Sequence, residues 1–507
     1  MNMPTMSLIL LDYLYNLEKV SIGHPSFIVS VITSALVLFF FSSIIRDPLK
    51  DIPGPMKARW SRFWLIWIDM SGRRSKTIHE LHQKYGSVVR IGPREVSFSS
   101  RQAMKDLYGS GNKFMKGPVY EAFGRQSSFT ILDKTEHRLR QKRIAHVFAP
   151  ASIAAVEPLV KEQVQKLLHI LSKRTNQPLD VMEWFRIFAL DAVGSVFFGQ
   201  SFGGLDNEAP PKILYDLDEV FPSLLIEWQF AAIRPLLLAI PHKPMQHFLR
   251  IASEFYDKYG TEKFNEYIAR HGRSGDRIDL LTKLIAGSKD HSPLDDNEIV
   301  NEMTNLIFAG TDTTSNTFTY MFYELAKHPQ WQKQLQAELD EAVLEEVPEY
   351  KHIMKLRVLD AVIHETLRFH PAAPASLQRL APNEGGAVVD GIAIPQNGIA
   401  SCQAYTTQRD PTVYPNPEKF DPGRWLSASE DHLNVMHECI LVWGKGQRAC
   451  LGKPMAYMEL KVGTAALMGK FSVELGSATI DDDMEMTDHF ALVPKGKRCI
   501  LRLKERS

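Results

Sequence analysis

Apolar positions along this chain change their spacing from segment to segment, and each change predicts a different element. Phe27 to Ile45 (FIVSVITSALVLFFFSSII) is uncharged and mostly apolar, close to the ~20 residues a helix needs to cross a bilayer. A cleaved signal peptide would have a shorter apolar core and small residues at a cleavage site, and neither follows Phe41. A buried core helix is the other rival; nearness to the terminus and flanking charge favour an anchor. Arg46, Lys50, Lys57 and Arg59 follow the block while Lys19 is nearly alone before it, which places the C-terminal body in the cytosol. Ile52-Pro53-Gly54-Pro55 cannot continue a helix. The expected organisation is a lumenal segment 1–26, a transmembrane anchor 27–45, a proline-rich hinge 46–56 and a body 57–507.

Within the body, a helix over Lys76 to Tyr85 precedes an alternating stretch, Ser87 to Ile91, a Gly92-Pro93 turn and Val96 to Ser99, which reads as a β-hairpin. Helical periodicity then dominates from about Ser100 to His370. A second β-rich patch covers Ala387 to Pro395 and Ile399 to Ala404. A helix runs from beyond Cys450 towards Met468, and strand-like segments close the chain. The fold class expected is mainly α with minor β sheets.

The longest helical run starts near Ser292 as cap, with Pro293 at its first position and Asp295 and Asp296 complementing the dipole. It ends at His328-Pro329, giving about 35 residues or roughly 50 Å. Halfway along lies Ala309-Gly310-Thr311-Asp312-Thr313-Thr314. Glycine and threonine each cost a few tenths to ~1 kcal/mol there relative to alanine. Either a function or a small-residue packing seam explains such a turn.

Composition narrows the class. The 507 residues carry zero formal net charge, so nothing points to nucleic acid. Four cysteines, Cys402, Cys439, Cys450 and Cys499, make no disulfide framework in so long a chain. Cys450 stands apart, in Trp443-Gly444-Lys445-Gly446-Gln447-Arg448-Ala449-Cys450-Leu451-Gly452. Glycine amides and an arginine around one thiolate suit a single metal ion.

With Glu365-Thr366-Leu367-Arg368 and Phe420-Asp421-Pro422-Gly423-Arg424-Trp425, these motifs resemble the cytochrome P450 family of haem-thiolate monooxygenases over essentially the whole chain. The resemblance implies haem b with Cys450 as axial thiolate, a ligand that favours O–O cleavage. It implies that Trp443, where the family usually has phenylalanine, shields the sulfur. Arg448 and Arg379 then pair with haem propionates. Gly446 and Gly452 stand where the backbone approaches the porphyrin or turns tightly. His137 fits the first position of a propionate-binding helix whose second position is Gln141 instead of arginine. Arg140 or Lys142 substitutes, or that contact is missing; a solvated basic face, or a docking face for a redox partner, is the other reading of this run. Glu365, Arg368 and Arg424 form a structural triad.

The same resemblance gives Thr313 a hydrogen bond to bound dioxygen, Asp312 the entry of a water relay, and Ala309 and Gly310 the room for oxygen. No flavin or nicotinamide fingerprint is present, so electrons come from a separate reductase, which the resemblance implies is a membrane-bound NADPH-cytochrome P450 reductase. The expected setting is the endoplasmic reticulum membrane, with lipid as a further partner and a lipophilic small molecule as substrate, as in fungal secondary-metabolite pathways. Its pocket would run along Met115 to Phe129, Phe221 to Phe230 and His489 to Leu492, with Phe123, Phe129, Trp228, Phe308, Phe490 and Leu492 making it apolar. A haem-thiolate isomerase or dehydratase and a non-catalytic haem carrier are the alternatives, and the Asp312–Thr313 pair argues against both.

Overall fold

A computed structural model describes residues 29–34, 47–230, 233–288, 291–476, 478–489 and 491–506. The chain divides into two units, residues 1–52 and 53–507. In the first, residues 29–34 are helical, and the rest of the expected anchor 27–45 lies outside the described residues. Among the described residues no single helix is long and apolar enough to cross a membrane.

The second unit is mainly helical with four small sheets among the described residues. Its spine is the central helix Asp296–Lys327. The helix starts later than the Ser292 cap expected above. Asp295 accepts the Glu298 N–H at 2.8 Å, and Glu298 accepts the Asp295 N–H at 3.0 Å. This reciprocal box satisfies two orphan amides where a lone serine would satisfy one. His328 ends the helix because the proline ring at 329 disfavours helical geometry in the residue before it.

Helix Val181–Phe198, buried along nearly all its length, lies against the central helix. Aromatic contacts join them, with Phe185 stacked on Phe318 at 5.3 Å. Gly310 belongs to this seam: a Cβ there would lie 2.5 Å from Val193 Cγ2. Its missing side chain makes room for a neighbouring helix, as a small-residue packing seam requires. Gly463, on helix Lys453–Lys470, meets Phe318 in the same way, at 2.7 Å.

The expected hairpin forms between Val88–Gly92 and Glu95–Phe98. Strand Ile399–Cys402 joins it in parallel, followed by Arg379–Leu380 and Met115–Lys116, each antiparallel to its neighbour. In this register Lys116 lies opposite Arg379. Ala387–Val389 and Ile392–Ile394 pair around Asp390 and Gly391, both at positive φ. The C-terminal strands Phe471–Leu475 and Ile500–Glu505 take Pro178–Asp180 into a three-stranded sheet.

Candidate active site

The cysteine loop turns through Gly444 and Gly446, both at positive φ, and delivers Cys450 just ahead of helix Lys453–Lys470. A Cβ on Gly446 would overlap the Tyr108 carbonyl oxygen. Its glycine is therefore required by the turn and by the close approach of helix Arg101–Tyr108. Gly452 has an ordinary φ of −76°. Its chain neighbours aside, the nearest atom to a Cβ there would be Cys450 Sγ, at 3.9 Å. The Trp443 carbonyl accepts the Cys450 N–H at 2.8 Å and fixes the loop.

Cys450 is exposed, whereas the other three cysteines are buried. Protein atoms ring its sulfur, and this burial raises the thiol pKa; the amides of Gly452 and Lys453 and the Lys453 charge oppose the rise. A coordinated metal settles that balance, because a metal-bound thiol is deprotonated outright.

The central helix comes to this region at two places. Leu306 and Leu451 line one pocket of about 360 Å³ counting space open to solvent, and the Thr314 hydroxyl donates to Glu459 Oε2, on helix Lys453–Lys470, at 3.3 Å. Between them lie Ala309, exposed although Phe308 and Thr311 are buried, and half-buried Thr313. The Thr313 hydroxyl donates to the Ala309 carbonyl, which leaves its oxygen as an acceptor. Asp312 points elsewhere, since successive helical residues are about 100° apart. Its Oδ1 receives Arg186 at 3.2 and 3.3 Å, and Arg186 also pairs with Asp218 at 2.8 Å. Burial raises the Asp312 pKa and Arg186 opposes it.

A cluster of cations faces inward nearby. Lys116, His137, Arg379 and Arg448 sense one another's charge. Burial first, then Arg448, Lys116 and Arg379, push His137 down to about 3. Burial and Arg379 take Arg448 down to about 10, and burial with both arginines holds Lys116 well below its ordinary value. Their hydrogen-bond partners are main-chain carbonyls: Phe129 for Lys116, Gln378 for Arg379, and Ile131, Leu132 and Asp133 for Arg448. Among the described residues no carboxylate pairs with any of the four. Guanidinium groups without a counter-ion are costly to bury, and an anion would relieve the pressure that drives His137 and Lys116 towards their neutral forms, so the cluster fits a dianionic ligand such as the two propionates of haem. Arg140 does not join it. Its guanidinium is held by Glu298 at 2.7 Å and Glu302 at 2.9 Å on the central helix, so it does not replace the arginine absent at Gln141. Lys142 is exposed. Lys116, which sequence reasoning missed, is brought in by its pairing with the Arg379 strand.

Behind the loop, Arg368 grips Glu365 with two bonds of 2.8 and 2.9 Å, both side chains fully buried. Arg424 adds a third at 3.1 Å, the Trp425 indole a fourth at 2.9 Å and the Asp421 amide a fifth at 2.8 Å. Gly423 puts no side chain into this network.

A second cleft, about 540 Å³ counting space open to solvent, has an apolar wall that includes Val119, Phe123, Leu225 and Trp228. Its other wall is polar, with Asp69, Arg74, Ser376, Gln378 and Asp488, which the sequence had not suggested. Arg74 bonds Asp69 at 3.0 Å and Glu95 at 3.0 Å, and the Gln378 amide also donates to Glu95, at 2.9 Å. Glu95 Oε2, Gln378 Oε1 and Ser376 Oγ are buried and find no hydrogen-bond partner among the described residues. Of the expected lining, Phe123 and Trp228 are in place. Phe129 packs edge-on against Tyr120 and Phe123. Phe308 is stacked on Phe255 at 4.6 Å in the core, and Leu492 is buried in that core; both prefer apolar neighbours to a wet cleft. Phe490 lies outside the described residues.

Comparison with known proteins agrees with this arrangement. Residues 53–501 match the family model described as Cytochrome P450. The cytochrome P450 monooxygenase tazI of Aspergillus terreus is 29% identical over 93% of this chain and 97% of its own length. Tryprostatin B 6-hydroxylase of Aspergillus fumigatus is 28% identical over 92% of this chain and 83% of its own. The cytochrome P450 monooxygenase gsfF of Penicillium aethiopicum is 28% identical over 90% and 93%.

Proposed function

The chain belongs to the cytochrome P450 family, and from that membership we propose that it inserts one atom of O2 into a lipophilic small molecule bearing hydrogen-bond donors, by hydroxylation or epoxidation, in secondary-metabolite biosynthesis. It is a haem-dependent monooxygenase. The observation that carries the reading is the exposed Cys450 at the end of its glycine turn, whose neighbour Leu451 lines a cavity with Leu306 of the central helix, together with a cluster of four basic side chains that pair with no carboxylate among the described residues.

Cys450 would hold haem b through its sulfur, with Lys116, His137, Arg379 and Arg448 on the propionates. When bound, the haem activates dioxygen with two electrons, which we assign to an NADPH-cytochrome P450 reductase. Thr313 Oγ1, free to accept while its hydrogen goes to the Ala309 carbonyl, would accept and pass a proton. Asp312 supplies protons from the helix interface when Arg186 loosens its hold. On the cleft wall, the side-chain oxygens of Gln378 and Ser376 would accept hydrogen bonds from hydroxyl or N–H groups of the substrate, and its apolar body would lie against Phe123 and Trp228.

The exposed cations Arg138, Lys142 and Lys453 support docking of an acidic redox partner. Exposed Phe63, Trp67, Met70 and Leu236 support a body resting on lipid, in keeping with an endoplasmic reticulum anchor over 27–45. Deletion of residues 1–52 should then move most of the protein out of the membrane fraction.

The test is reconstitution of the purified protein with reductase, NADPH, labelled dioxygen and candidate lipophilic substrates. One labelled oxygen atom should enter the product, and carbon monoxide on the reduced protein should give the red-displaced band of sulfur ligation. Thr313→Ala should cut product per NADPH by roughly tenfold or more and release hydrogen peroxide. A carbon monoxide band like that of a histidine-ligated globin would sink the reading.

A further inference from the structure

An unbroken series of ring contacts leads from the cysteine loop to the surface. Trp443, whose carbonyl receives the Cys450 N–H, has its ring 5.3 Å from that of Tyr457, at 33° between planes. Tyr457 is 5.8 Å from His364, and His364 is 5.0 Å from His437. His437 is exposed, on helix Glu430–Cys439.

Hydrogen bonds along the series fix where a proton can go. His364 Nδ1 lies 2.8 Å from the Asp360 carbonyl oxygen, which only accepts, so Nδ1 carries the hydrogen. Nε2 therefore holds the lone pair, and the Tyr457 hydroxyl 3.2 Å away donates to it. Burial pushes His364 down to about 4, with His437, Lys461 and Lys453 adding to the fall, so the ring is neutral near pH 7. Burial also raises the Tyr457 phenol, which keeps its proton. Such a phenol gives up an electron readily only if its proton leaves along with it, and the acceptor stands on the same hydrogen bond.

We propose that Trp443, Tyr457, His364 and His437 form a redox relay that carries a one-electron oxidising equivalent away from the cysteine site when turnover finds no substrate to oxidise. The oxidised site takes one electron from the Trp443 indole, and Trp443 takes one from Tyr457. The Tyr457 O–H bond breaks, its proton moves to His364 Nε2, and a neutral phenoxyl radical remains beside an imidazolium. A small one-electron reductant such as ascorbate or a thiol, arriving at His437, returns the electron, and the proton goes back to the phenol. Indole and phenol yield electrons only to strong oxidants, so the path runs outward and is not the reductase's route in. The relay protects the haem and rests on the haem-thiolate reading above.

The test uses the haem-loaded full chain, first checked for the sulfur-ligated carbon monoxide band. It is mixed with a peracid without substrate, frozen within milliseconds and examined by electron paramagnetic resonance. A tyrosine-type radical should form, disappear in Tyr457→Phe, and fall roughly tenfold in His364→Phe, which keeps a ring but removes the base. Haem bleaching under peracid should quicken several-fold in both variants. If Tyr457→Phe does not fold, His364→Phe carries the test alone. Unchanged radical yield and bleaching in the variants overturn the relay, as does an absent radical in wild type with an intact band. An absent band overturns the relay and the haem-thiolate reading together.

Discussion

Arg186 holds the Asp312 carboxylate, at 3.2 Å from Oδ1, while its other hand reaches Asp218 near the surface at 2.8 Å. The acid expected to feed protons towards Thr313 is thus clamped between two helices. Burial raises its pKa, Arg186 lowers it and Asp218 raises it again. Arg186→Gln removes the only cation in that balance, so Asp312 should stay protonated to higher pH. In the pH profile of product formed per NADPH, the limb due to Asp312 should move upward. A downward shift, or none, would remove Asp312 from the relay.

Glu365 receives five donors in a site with no exposure. Glu365→Gln would leave two guanidinium groups facing a neutral amide, at a cost of about 3–5 kcal/mol. Arg424→Gln should cost less, because Arg368 keeps the carboxylate paired through two bonds. Chemical denaturation of the two variants measures the order, and equal losses would contradict it.

Gly310→Ala would place a methyl 2.5 Å from Val193 Cγ2. Overpacking of this kind costs about 1–3 kcal/mol. Adding Val193→Ala should recover part of that loss, and a thermal-melt double-mutant cycle would show the coupling. Simple additivity would mean that the two helices adjust independently.

Glu459 is buried at 2% exposure, accepts one bond from Thr314 and has no cation beside it among the described residues. Burial raises its pKa from 4.5 to about 8. The folded protein therefore keeps a proton that the unfolded chain releases above pH 4.5. Its stabilising contribution is full below that pH and is lost as pH climbs to about 8, by on the order of 1.4 kcal/mol per pH unit. Glu459→Gln should flatten this dependence, so the variant gains on wild type between about pH 5 and pH 8. Parallel stability curves would disprove the shift.

Local spacing made much of this molecule legible. The glycines around Cys450 announced a tight turn with a thiol at its end, since positive φ is a demand on a single residue. Proline at 329 ended the central helix as expected, because its ring restricts the residue before it. The helix start was misread because Ser292 and Asp295 both make good caps, and only Glu298, three residues on, favours the second.

What the sequence settled alone was therefore the type and order of elements, the cysteine loop and the family these motifs resemble: properties set by neighbours within a few residues. What the tertiary structure decided was which distant groups meet. Lys116 comes beside Arg379 through strand register, and Arg186 comes to Asp312 through helix packing. Gly310 faces a valine, and Tyr457 finds His364. No periodicity records these meetings, because the burial of charge and the fit of side chains across ninety or more residues depend on surfaces that exist only once the chain has folded.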